Sequence, residues 1–155
     1  MPVEAEIEAA VVAKLKDALA GVQGVRIEGA WQTTAEGEVK GEENPSDRVI
    51  VGVAVGAPSY ETYQTPTAEI SVALAVVVRR ELAPTAAEVA AVMEPISRVL
   101  LGYQLDEPDG LSTNHFRADG VRLDSGEPPA YVAARKVWRV TRSFSVKGCA
   151  SLDPL

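Results

Sequence analysis

The chain has 155 residues, 46% of them apolar, with a net charge of −7 and a single cysteine. That length fits one domain whose core is stable without staples, and one cysteine excludes an internal disulfide framework and any multi-cysteine metal site. The acidic balance argues against a general nucleic-acid binder, whose affinity rests on Lys and Arg neutralising phosphates. No apolar run approaches the ~20 residues a membrane-spanning helix needs, and Met1-Pro2-Val3-Glu4 lacks the basic and apolar regions of a signal peptide. The expectation is a protein made and kept in a cytoplasm, or assembled there into something larger.

Residues 3–20 read as a helix. Ile7, Val11, Leu15, Ala18 and Leu19 recur at three- and four-residue steps, with Glu4, Glu8, Lys14 and Asp17 elsewhere on the wheel. Early glutamates and later lysines suit the helix dipole, and Gly21 and Gly24 end the helix. Val25 to Glu28 forms a short strand, and residues 33–47, polar and acidic, read as a loop ordered on assembly.

Arg48 to Val55 reads as a strand with Val49, Val51, Val53 and Val55 on one face. A hydroxyl-rich connection, 57–68, leads to a long strand from Glu69 to Arg80, whose even positions Ile70, Val72, Leu74, Val76 and Val78 alternate with smaller groups. Two strands joined this way pair most simply as an antiparallel hairpin. Ala83-Pro84 stops the strand, and Thr85 with Glu88 has capping-box spacing. Val89, Val92, Met93, Ile96, Val99 and Leu100 line the following helix; Pro95 predicts a kink, or a fresh start at that residue.

Residues 104–129 read as loop, with a short hairpin at the tight-turn pair Asp119-Gly120. A last strand runs from about Tyr131 to Lys147. The fold class is therefore α+β: a mostly antiparallel sheet with two helices on one face, in the order α-β-β-β-α-β-β. One domain spans 1–148, and 149–155, including Cys149, reads as a tail.

Nothing in this pattern carries evident chemistry, and the expectation is a protein that is not an enzyme and uses no cofactor or metal. His115 is the lone histidine; with Asp109 or Asp119 it is the one alternative for a small enzyme or ligand-binding domain. Asp106, Glu107 and Asp109 lack the spacing of a calcium loop, and no phosphate-binding glycine motif occurs. The basic clusters are Arg79-Arg80 and the set Arg135, Lys136, Arg139 and Arg142, a surface suited to an acidic neighbour. Trp31, Tyr60 and Tyr63 sit at loop edges, where aromatics are candidates for partner contact. The candidate interface is thus Trp31, Tyr60, Tyr63, Arg135, Arg139 and Arg142.

The order of elements resembles the tail-terminator proteins of long-tailed bacteriophages and prophages. The resemblance covers residues 3–147, from the helix Val3–Leu19 through the strand pair and the helix Thr85–Leu101 to the strand ending Phe144-Ser145-Val146-Lys147-Gly148. It implies a ring, usually a hexamer, that caps the tail tube, meets tail-tube and head–tail connector proteins, and resides in the virion tail. A head–tail connector or tail-tube component is the alternative assembly role. Neither membrane association nor sequence-specific nucleic-acid binding is implied.

Overall fold

The computed structural model describes residues 2–22, 24–32, 49–64, 67–81, 85–103, 113, 115–133 and 137–151. The acidic segment 33–47, the acidic cluster at 106–109 and the Ala83-Pro84 stop lie outside these residues. The elements are α1 (Val3–Ala18), β1 (Val25–Gly29), a 3-10 turn (Ala30–Gln32), β2 (Val49–Val55), β3 (Ser59–Gln64) and β4 (Thr67–Glu81), followed by α2 (Ala86–Arg98), a π turn (Val99–Tyr103), β5 (Phe116–Gly126), β6 (Ala130–Val132) and β7 (Val137–Ser151). One seven-stranded sheet has the order β1-β2-β4-β7-β5, with β3 alongside β4 and β6 alongside β7. All pairings are antiparallel except β1 with β2, so the α+β class and its element order hold.

The alternation in β4 decides which face is covered. Ile70, Val72, Leu74, Val76 and Val78 are buried, and opposite them on β7 lie Val140, Phe144 and Val146, also buried. Ile7, Val11 and Leu15 of α1 and Val89, Met93 and Ile96 of α2 join this cluster from the same side. Burying each such side chain contributes on the order of 1.5–3 kcal/mol, which fixes both helices to one layer.

Several local expectations change. The connection 57–68 contains β3, which continues the path of β2 along β4: Val55 pairs with Leu74, and Ser59 with Ser71. The expected hairpin exists with a longer arm, running through β2 and β3. Its hydroxyl-rich sequence hid a strand that pairs on one side only. Asp119-Gly120 makes no turn. Ala118 pairs with Gly148 and Gly120 with Lys147, so Asp119 is the extra residue of a bulge inside β5.

β7 continues past Lys147 to Ser151, with Gly148 packed and Ala150 buried. The body of the fold thus includes residues 149–151 rather than ending at 148. Thr85 occupies the position before α2 with extended backbone but makes no side-chain cap bond, so the capping-box expectation fails. The helix runs through Pro95 without a fresh start. The carbonyl that Pro95 leaves without a donor belongs to Ala91, on the exposed side of α2, where water can serve it. Gly24, at a left-handed φ of 68°, turns the chain after α1, and its carbonyl accepts from the Val49 amide at 3.0 Å, setting β1 beside β2.

Candidate assembly surface

On the face of the sheet away from the helices no described element packs. Register places Gly52 beside Val77 and Thr141, and Ala54 beside Ala75 and Ser143, giving an area of mostly small, partly exposed groups. At one end of this face Arg79 of β4 stands directly opposite Arg139 of β7, with Ile50 on the other flank of Arg79. Arg79 is half-buried and Arg139 exposed. Among the described residues neither has an ion-pair partner. Like charges directly opposed across strands repel, and Glu81, two residues along β4 on the same face as Arg79, has its side chain outside the described part.

The other end of the same face is compensated. Arg122 Nε donates to Asp124 Oδ1 at 3.1 Å, and the Ser145 hydroxyl donates to Asp124 Oδ2 at 2.6 Å. The Ser145 hydrogen bond, then Arg122, hold the Asp124 carboxyl below its ordinary value, against desolvation. Ser71, Asp119, Arg122, Ser145 and Lys147 line a shallow depression there.

Trp31 is held from beneath and left half-exposed. Its backbone amide donates to Glu8 Oε2 at 2.8 Å, and its indole Nε1 donates to the Val55 carbonyl at 3.4 Å. The indole remains 50% exposed, and Tyr60, on the adjoining β3, is 43% exposed. Glu8 is only 1% exposed, a correction to its expected place on the outer side of α1. Burial pushes its carboxyl above the ordinary value, opposed by hydrogen bonds from the Trp31 and Ala30 amides. Its second oxygen, Oε1, has no partner among the described residues. A Cβ at Gly29 would sit 2.8 Å from the Glu8 carboxyl carbon, so glycine is what admits the carboxylate against β1.

The remaining candidates divide. Arg142 Nη1 donates to Ser97 Oγ at 2.5 Å, tying β7 to α2 on the covered side. Tyr63 lies in β3 opposite Ala68, with its side chain outside the described part, and Arg135 and Lys136 lie outside the described residues. His115 Nδ1 lies 2.9 Å from Glu6 Oε1, joining α1 to the start of β5. Asp119 and Cys149 share a shallow depression with His115, while Asp109 lies outside the described residues. Among the described residues no group of three or more His, Cys, Asp or Glu can hold a metal ion, and no helix is long and apolar enough to cross a membrane.

Two features of this surface escaped the sequence reading. Glu8 lies four residues before the buried Val12, a spacing that puts both on one side of α1 and signals its burial. The opposition of Arg79 and Arg139 needs a register between strands far apart in the chain, for which the sequence carries no local signal.

No protein-family model matches the sequence, and no curated protein sequence matches it. Among solved structures, a chain of the virion of a native gene transfer agent particle superposes with a TM-score of 0.61 at 15% identity. The match covers 92% of this chain and 94% of the other. The likeness is one of fold.

Proposed function

We propose that this chain is a structural protein of a phage-like virion, a tail terminator that closes into a ring on the tail tube and presents a surface to the head–tail connector. The observation that carries the reading is the fold likeness to a virion chain over nearly the full length of both. The order of elements read from the sequence points the same way. A sheet face on which no described element packs, ending in the opposed Arg79 and Arg139, together with the half-exposed Trp31 of the 3-10 turn and Tyr60 of β3, suits a protein that functions in contact with others. A ring needs two different patches that meet head to tail, and its rotation must close. The protein would be made in a bacterial host cytoplasm and reside in the virion tail, acting without catalysis or cofactor.

The test is assembly. Light scattering across concentrations, with and without tail-tube protein, is expected to find a closed oligomer and binding at tube ends. A strict monomer that ignores tube ends refutes the reading. A connector or tube component is the second reading, and electron microscopy separates them: a tube subunit makes long polymers, while a terminator stops at one or two rings.

A further inference from the structure

Glu8 places a carboxylate where the covered side of α1 otherwise offers apolar side chains. Ile7, Val11 and Val12 around it are buried, and Glu8 itself is 1% exposed. Burying a carboxylate costs free energy unless hydrogen bonds offset it. Here they come from the turn that follows β1. The Trp31 amide donates to Oε2 at 2.8 Å, and the Ala30 amide donates to the same carboxylate. We propose that Glu8 is a positioning residue: it fixes the turn that carries Trp31, so that the indole is held ready for contact with a second copy of the chain. The inference rests on the ring reading for its partner and deepens it by naming what sets the contact residue in place.

An apolar side chain would fill the same space and leave both amides without this acceptor. The carboxylate reaches them because position 29 is glycine. A Cβ there would lie 2.8 Å from the Glu8 carboxyl carbon and 2.9 Å from Oε2, the atom that takes the Trp31 amide. A second tie restrains the ring itself, since indole Nε1 donates to the Val55 carbonyl at 3.4 Å. The main chain of Trp31 is thus tied to α1 and its ring to β2, while half of the indole stays exposed. A side chain already held in its bound position has less freedom to lose on association, which is worth about two- to tenfold in affinity. Glu8 is buried, so its effect on assembly passes through Trp31.

Three variants test the proposal, each made with Trp138→Phe so that Trp31 is the sole indole. Glu8→Met keeps an unbranched side chain and removes the carboxylate acceptor. Gly29→Ala keeps the carboxylate and crowds it away from the turn. Glu8→Gln keeps an oxygen that accepts amide protons. Glu8→Met and Gly29→Ala are expected to lower the fluorescence anisotropy of Trp31, to raise its quenching by acrylamide, and to weaken self-association in light scattering about two- to tenfold. Glu8→Gln is expected to keep the anisotropy, quenching and association of the Trp138→Phe parent, a rescue that a general loss of packing would not follow. In a chain that also carries Trp31→Ala, neither Glu8→Met nor Gly29→Ala is expected to weaken association further. Parent anisotropy and quenching in either folded variant overturn the proposal. So does association equal to the parent despite a freed indole, or a loss of association that persists at full size with Trp31→Ala. Gly29→Ala decides the same points if Glu8→Met does not fold. These failures leave the ring reading intact if the wild type still forms rings. A wild type that stays monomeric at all concentrations overturns the second-copy contact together with the ring, even where the indole is held as expected.

Discussion

Of the glycines compared within the described residues, Gly148 has the least room for a Cβ, and Gly148→Ala measures how firmly β5 is held to β7. A Cβ built there lies 2.3 Å from the Arg117 carbonyl oxygen and 2.7 Å from Phe116 Cζ. Neither neighbour is the free end of a flexible chain. The carbonyl belongs to β5 backbone paired across to Cys149, and the Phe116 ring is 2% exposed in the core. Relief requires β5 to move off β7 or the ring to leave its site, a cost of about 3 kcal/mol by comparison with other overpacked cores. In a domain of this size each kcal/mol lowers the melting temperature by about 2–4 °C, so a fall of about 6–12 °C is expected. Gly120→Ala is the control: it lies in the same ladder, opposite Lys147, and a Cβ there meets nothing within 4 Å. Its effect is expected to stay within about 0.5 kcal/mol of wild type. Thermal melts followed by circular dichroism compare the two. If Gly148→Ala melts within about 2 °C of Gly120→Ala, the close approach is not a constraint and the reasoning fails.

Glu8→Gln tests the buried carboxylate. Its folded pKa is raised above the ordinary value, so its contribution to stability is complete below that value and is lost as pH rises through the folded pKa. Wild type is therefore expected to lose stability relative to Glu8→Gln as pH rises above the ordinary value of 4.5 and through the raised folded pKa, and melting temperatures that run parallel with pH for the two proteins would contradict this. Ser97→Ala deprives the Arg142 guanidinium of its hydroxyl acceptor and should cost about 1 kcal/mol in urea unfolding, with the slope of the transition unchanged. Trp31→Ala removes a half-exposed indole, so the melting temperature should move little, while association or tube-end binding weakens by about 2 kcal/mol if the indole is a contact anchor. Binding equal to wild type would remove Trp31 from the interface.

The elements legible in the sequence are those with a dense apolar repeat. β2, β4 and α2 declare themselves through Val49–Val55, Ile70–Val78 and Val89–Leu100, because each buries one full face against the core. β5 and β3 did not. Most of β5 beyond Phe116 is exposed at the sheet edge, so no apolar alternation marks it, and its two bulges break the period further. β3 is rich in hydroxyl and tyrosine side chains that read equally well as a loop. The basic clusters and the exposed aromatics were visible, but their grouping was not. Arg142 turned to the covered side to meet Ser97, whereas Arg139, three residues earlier, faces outward opposite Arg79. That split follows from strand parity, while the partner across the ladder depends on register alone.

The strands β4 and β7 are each 15 residues long and pair with one another from Thr67–Ser151 to Glu81–Val137. At ~3.3 Å per residue they form a beam about 50 Å long. Tyr60 is attached near one end, opposite Ile70, and Arg79 and Arg139 sit near the other. The two strands are paired in register along that whole length, so a partner seated at Tyr60 and another seated at Arg79 and Arg139 would grip one continuous ladder from opposite ends.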